Sequence, residues 1–162
     1  MRTMLIAAVA LIAASADGRQ TITWKKFVDP HSSSVEVPIS LVRPAAADLG
    51  LAFQSSDRAT KIEFFTTTEA RPGFPGNDPR GDMGLKRSDC DKWPPPYLTI
   101  KNNVAAYSCT KAGKVDYYVS KYSPSGSVTL RARYPVNQKA MWDAIVARMA
   151  ASMRQVPRVE IR

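Results

Sequence analysis

The stretch "YLTIKNNVAAYSCTKAGKVDYYVSKYSPSGSVTLRARY", residues 97–134, decides the fold. "YLTIK", "VAAYSCT", "VDYYVSKY" and "SVTLRARY" alternate with the period of two that marks strands, and "NN", "KAGK" and "SPSG" break them. Short breaks between strands make antiparallel hairpins, so the segment reads as a meander. Four-residue loops at Lys111 to Lys114 and Ser123 to Gly126 set the register. Val119 then faces Leu130, Tyr117 faces Ala132 and Val115 faces Tyr134, an apolar set. The opposite face pairs Asp116 with Arg133, Tyr118 with Arg131 and Tyr107 with Tyr118, all favourable cross-strand neighbours. A slip by one residue would exchange the two sets.

After Pro135 the period changes. Trp142, Ile145, Val146, Met149 and Met153 recur at helical spacing, with Lys139, Asp143, Arg148, Ser152 and Arg154 elsewhere around the turn. An amphipathic helix is predicted to pack its apolar stripe on the Val119 face of the meander.

Cys109 falls on the other face, with Tyr107, Tyr118, Arg131 and Arg133. The second cysteine, Cys90, belongs to "EARPGFPGNDPRGDMGLKRSDCDKWPPP", whose proline and glycine content excludes a regular element across most of it. Such a long irregular segment, spanning 70–96, is unusual in a compact domain and marks a functional loop or disorder. The Trp93-Pro94-Pro95-Pro96 run favours an extended polyproline conformation at its far end.

A Cys90–Cys109 bridge is expected, with unpaired or intermolecular thiols as the alternative. It would fasten the loop across the face that the helix leaves bare. The expected fold class is α+β: a single antiparallel sheet, a long C-terminal helix on one face and a disulfide-fastened Pro/Gly loop on the other. Between loop and sheet a cleft is expected, with Tyr107, Tyr118, Arg131 and Arg133 as its binding face. Arg71, Arg80, Lys86, Arg87 and Lys92 would form a basic rim. Ordinary solvated surface is the competing reading of the same residues.

Upstream, "TITWKKF" and "SVEVPI" read as strands about the turn "DPHSS", with Pro38 ending the second or placing it on an edge. "RPAAADLG" reads as one or two helical turns between Pro44 and Gly50. "LAFQSSDRATKIEFFTTT" reads as a hairpin turning at Ser55 to Arg58.

The N-terminal "MRTMLIAAVALIAASA" places one arginine before an apolar run and ends in a small-x-small site, the pattern of a signal peptide over 1–16 with cleavage before Asp17. The run is shorter than the about 20 residues that span a bilayer. Residues 17–162 then form one domain, periplasmic or secreted, where two cysteines usually pair. The formal charge is +9, and loss of Arg2 lowers it by one to +8. Such a surplus favours anionic neighbours. The expected partner is a protein or an anionic envelope component, and export argues against nucleic acid.

Known chemistries find little support. His31 is the single histidine, and no nucleophile elbow, phosphate loop, HExxH or zinc-ligand cluster occurs. No catalytic residue, metal or cofactor is therefore predicted. Asp78, Asp82, Asp89 and Asp91 crowd the loop without the spacing of an EF-hand, and Arg80-Gly81-Asp82 is too short a match to an adhesion tripeptide to carry weight. The expected role is non-enzymatic binding or assembly. The alternatives are a cell-envelope hydrolase using loop carboxylates, which would need two carboxyl groups about 5–9.5 Å apart in a cleft, and a secreted enzyme inhibitor.

"LRARYPVNQKAMWDAIVARMAASMR", with the early "SVEVPISLV" strand and the "FQSSD" hairpin, resembles small exported bacterial proteins of the PsbP/Mog1-like type. That resemblance implies an antiparallel sheet flanked by helices, used for binding and assembly without a shared catalytic centre. Where those proteins would carry a further helix before the meander, this chain has its Pro/Gly loop and first cysteine.

Overall fold

The computed structural model describes residues 21–67, 79–80, 86–124 and 126–155. The expected signal peptide over 1–16, Arg71, Asp78 and Asp82 lie outside the described residues. Nine strands and one α-helix are described: β1 (Trp24–Val28), β2 (Ser34–Pro38), β3 (Val42–Ala45), β4 (Leu51–Ser55), β5 (Lys61–Thr67), β6 (Tyr97–Lys101), β7 (Val104–Lys111), β8 (Lys114–Ser123), β9 (Gly126–Pro135) and α1 (Lys139–Ser152). Among these residues no helix is long and apolar enough to cross a membrane.

The class is α+β. Seven strands form one antiparallel sheet in the order β3-β4-β5-β9-β8-β7-β6. The meander has the register that the four-residue loops impose: Val119 opposes Leu130, Tyr117 opposes Ala132, Val115 opposes Tyr134, Asp116 opposes Arg133, Tyr118 opposes Arg131 and Tyr107 opposes Tyr118. One face carries the main core. Trp142, Ile145, Val146, Met149 and Met153 are all buried against it with Val115, Val119, Leu130, Ala132 and Tyr134. Helical spacing put these five on one stripe; four of them meet the sheet from α1, and Met153 is buried just past its end.

Two local expectations are overturned. The expectation of a single sheet fails at the N-terminus, where β1 and β2 form a separate two-stranded sheet, bridged at Ser34 to Arg154. Their hairpin lies on the helix side of the large sheet, because Val35 and Val37 gain burial in the main core and Phe27 meets Phe53 edge-on at 4.8 Å. Its turn is held by Asp29, whose Oδ1 accepts the amides of His31 at 3.0 Å and Ser33 at 2.8 Å. In place of the helical turns expected over Arg43 to Gly50, Arg43–Ala45 belong to strand β3, in which Val42 pairs with Ser55 and Ala45 with Ala52, and residues 46–50 form an irregular bend. Cross-strand pairing overrides the helix preference of Ala45. Pro44 is tolerated because β3 is an edge. At Gly50, φ is +63°, and a Cβ would stand 2.3 Å from the carbonyl oxygen of Phe64, so only glycine fits there.

Candidate binding face

The face opposite α1 carries the staple. Cys90 and Cys109 form a disulfide with Cα atoms 5.7 Å apart. The loop is also held by the Asp91 amide, which donates to the Thr110 carbonyl at 2.9 Å, by Lys111 Nζ donating to the Ser88 carbonyl at 2.9 Å, and by the Ala112 amide donating to Asp91 Oδ2 at 3.1 Å. Lys86–Asp89 form a single 3-10 turn. The following segment bends through residues 90–94 with a cis Trp93–Pro94 bond, in place of the extended polyproline run expected there.

This close fastening changes the site. Cys90, Cys109, Ala105, Tyr107, Tyr118 and Tyr122 make a second small core with Trp93 against it. Tyr107 is fully buried and stacks on Tyr118 with ring centroids 5.3 Å apart. Trp93 meets Tyr107 edge-on at 6.2 Å, and Lys86 Nζ sits 5.4 Å from the centre of the Tyr118 ring. The two tyrosines therefore cannot wall an open cleft. Aromatic area buried beneath the loop is worth more than the same area left wet, so the loop closes onto the rings.

Beside this core, Asp116 is 1% exposed and holds two arginines. Arg131 reaches it through Nε at 3.0 Å and Nη2 at 2.5 Å, and Arg133 through Nε at 2.8 Å. Arg131 Nη2 also lies 3.0 Å from Asp89 Oδ2, tying the sheet to the loop. Burial opposes the charge of Arg131, but the hydrogen bond and charge of Asp116 outweigh it and the guanidinium pKa is raised. Arg131 is thus a structural member of an ion cluster. Of the four residues expected on the binding face, only Arg133 presents much side chain to solvent, at 46%.

What the face does present is a row of cations. Arg43, Gln54, Lys61 and Arg133 are successive cross-strand partners on β3, β4, β5 and β9, so their side chains share one face, with strands about 4.8 Å apart. Arg43 and Lys61 are exposed. Lys61 directly opposes Arg133, and Lys111 directly opposes Lys114 on the same face. Glu63 at 2.6 Å from Lys61 and Asp116 at Arg133 relieve part of the repulsion. Of the predicted rim, Arg80, Arg87 and Lys92 are exposed and Lys86 is half-buried over Tyr118. Sequence reasoning missed Arg43, Lys61, Lys111 and Lys114 as members of this face.

On the helix side, a groove of about 410 Å³ opens where α1 stops short of β6, lined chiefly by Tyr97, Ser108, Val115, Tyr117, Lys139 and Asp143. Lys139 and Asp143 form an ion pair, and the Tyr134 hydroxyl donates to Asp143 at 2.7 Å. No signal in the sequence reading pointed to this groove. The described loop carboxylates have structural partners: Asp89 takes Arg131 and Asp91 takes the Ala112 amide. Among the described residues no three His, Cys, Asp or Glu side chains converge as metal ligands.

The buried Tyr107 and Tyr134 and the half-buried Tyr117 give the fold a pH limit. Burial first, then the Asp116 charge, raises Tyr107 well above its ordinary value. Burial first, then Tyr97 and Asp143, pushes Tyr117 up to about 12. Burial first, then the hydrogen bond to Asp143, raises Tyr134. Above about pH 10 the unfolded chain loses these phenolic protons while the native state keeps them, so stability is full below that pH and falls above it. The urea midpoint should drop steadily between pH 10 and 12 on this basis. A flat midpoint across that window would contradict the burial of these hydroxyls.

No family model and no curated protein sequence matches the chain. Among solved structures it is similar to the solution structure of cyanobacterial PsbP (CyanoP) from Synechocystis sp. PCC 6803, with a TM-score of 0.60 over 89% of this chain and 99% of that chain. The fold is PsbP-like. Sequence identity is 8%, so the likeness is one of fold alone. Within this PsbP-like frame, the C-terminal strand and helix that carried the sequence resemblance correspond to β9 and α1.

Proposed function

We propose that this PsbP-like chain is an exported, non-enzymatic binding or assembly protein of the periplasm or extracellular space. It docks an anionic surface of a protein or envelope polymer on the cationic face of its sheet. The observation that carries this reading is the Arg43, Lys61, Arg133 row. Like charges set directly opposite one another destabilise a sheet. Two such pairs, Lys61 with Arg133 and Lys111 with Lys114, stand on one face. An anionic partner would convert that repulsion into attraction, and the β-strand scaffold holds the charges in place before contact, which limits the ordering cost of binding. The staple supports the same reading, since it fastens the loop that carries Arg87 and Lys92 to this side of the sheet.

Exposed ion pairs contribute about 0.2–1 kcal/mol each. Replacing Arg43, Lys61 and Arg133 together by alanine should therefore weaken retention on phosphocellulose about threefold to a hundredfold. The control removes the same charge elsewhere, at Lys25, Lys26 and Lys139. Elution of the row variant at much lower salt than the control supports the face as the site. Equal shifts in both would reduce the effect to net charge and remove the row from the proposal. Capture from an envelope extract with the wild type and the row variant then separates a protein partner from a polymer.

A further inference from the structure

The two edges of the large sheet are unlike. β3 carries Pro44, which has no amide to donate, and the charged Arg43, both devices that discourage pairing with another strand. β6 at the other edge reads YLTIK, without proline, and its Tyr97, Leu98 and Ile100 are 50%, 38% and 39% exposed. Among the described residues no strand lies beyond it.

The hairpin fixes which backbone groups face outward. Lys101 and Val104 close a two-residue loop in which Asn102 and Asn103 have φ of 50° and 59°, the type I′ conformation. The closing pair of such a turn is hydrogen-bonded, and bonded and non-bonded pairs alternate along an antiparallel ladder. Lys101, Thr99 and Tyr97 therefore direct their N–H and C=O groups to β7. Leu98 and Ile100 direct theirs away from the sheet.

We propose that β6 pairs antiparallel with β6 of a second copy of this chain about a two-fold axis at Thr99, joining the two large sheets into one. The strand is self-complementary about that residue. Leu98 opposes Ile100 of the second copy, and the reverse pair follows by symmetry, so every outward N–H of these residues meets an outward C=O. On one side of the joined sheet the two leucines and two isoleucines form an apolar cluster beyond Tyr107, since Leu98 lies across from Tyr107 and Ile100 across from Ala105. On the other side Thr99 meets Thr99 and Lys101 meets the ring of Tyr97, both favourable pairs. Other two-fold positions fail. An axis at Leu98 sets Ile100 against Pro96, which lacks an N–H, and an axis at Ile100 sets Leu98 against the turn residue Asn102.

A five-residue edge buries less than the roughly 1,200 Å² of a standard interface, so the dimer forms with rising concentration. The copies also share a strong positive charge, and salt screens their repulsion. Dimerisation therefore strengthens with salt, whereas polyanion binding weakens, and the two proposals fail separately.

Thr99 and its symmetry mate form a non-bonded pair with Cα atoms about 4.5 Å apart, within reach of a disulfide. Under mild oxidation Thr99→Cys should give a covalent dimer, whereas Lys101→Cys, opposite Tyr97, should stay a monomer. Ile100→Pro removes an outward N–H without touching the β7 ladder, and should abolish the doubled mass that sedimentation reads for the wild type at high concentration and salt. The proposal is overturned if Thr99→Cys cross-links no better than Lys101→Cys, if the wild type keeps the monomer mass throughout, or if Ile100→Pro retains the dimer.

Discussion

Replacing Asp116 by alanine should destabilise the fold by about 3–5 kcal/mol, the cost of breaking a buried ion pair from one side. The Asp116 side chain is 2% exposed and takes three arginine N–H bonds, two from Arg131 and one from Arg133. Without it Arg131, whose side chain is only 18% exposed, keeps the single ion pair with Asp89. Two guanidinium groups two residues apart on the same face of β9 would then repel each other. Arg133 can turn toward water; Arg131, enclosed beneath the loop, cannot. Asp116→Asn should cost less than the alanine variant, since its carbonyl still accepts one of the three bonds. Replacing Asp116 and Arg131 together by leucine and methionine should recover much of the loss, because an apolar pair of similar volume avoids the desolvation of both charges. Urea unfolding reads all three variants. A loss below about 1 kcal/mol for Asp116→Ala would mean that Arg131 is already satisfied by Asp89 and solvent, and the cluster would not be what positions the loop.

The cluster also shows where sequence reading succeeds and stops. The register of β7, β8 and β9 was legible because consecutive strands joined by short loops must pair, and because both faces made chemical sense only in one alignment. The side of the sheet on which Cys109 lies followed from that register alone. The neighbour of β9 on its other flank was not legible. β5 pairs with β9 although more than fifty residues separate Thr67 from Gly126, and no loop length dictates such a contact. Lys61 and Arg43 were therefore left out of the face they share with Arg133. Depth was hidden as well. Tyr107 and Tyr118 were placed on the correct face, but whether a loop stands off or closes down depends on how much apolar area it can cover, which Trp93 and Cys90 settle only in three dimensions. The alanines after Pro44 misled for a related reason: Ala45 pairs with β4, and the residues left before Gly50 are too few to start a helix.

Removing the staple should have the second large effect. Cys90 and Cys109 are 19 residues apart in sequence, and closing a loop of about this length is worth about 3 kcal/mol in the chain-entropy model. The Cys90→Ser/Cys109→Ser variant should lose about that much in urea unfolding, while α1 and the main core, on the other face, keep their packing. The loss should appear first beneath the loop. Trp93 would separate from Tyr107, so its fluorescence should approach that of solvent-exposed indole at urea concentrations below the global midpoint. The remaining ties include the Asp91 to Thr110, Ala112 to Asp91 and Lys111 to Ser88 hydrogen bonds, made by exposed residues where water competes for each partner, and the Arg131 to Asp89 ion pair, which is largely enclosed. Combining the serine variant with Asp89→Ala should therefore free the loop further, and Tyr118 with it. If the serine variant unfolds in one transition with the wild-type midpoint, the aromatic packing alone holds the loop, and the bridge then contributes neither the stability nor the placement of the cations assigned to it here.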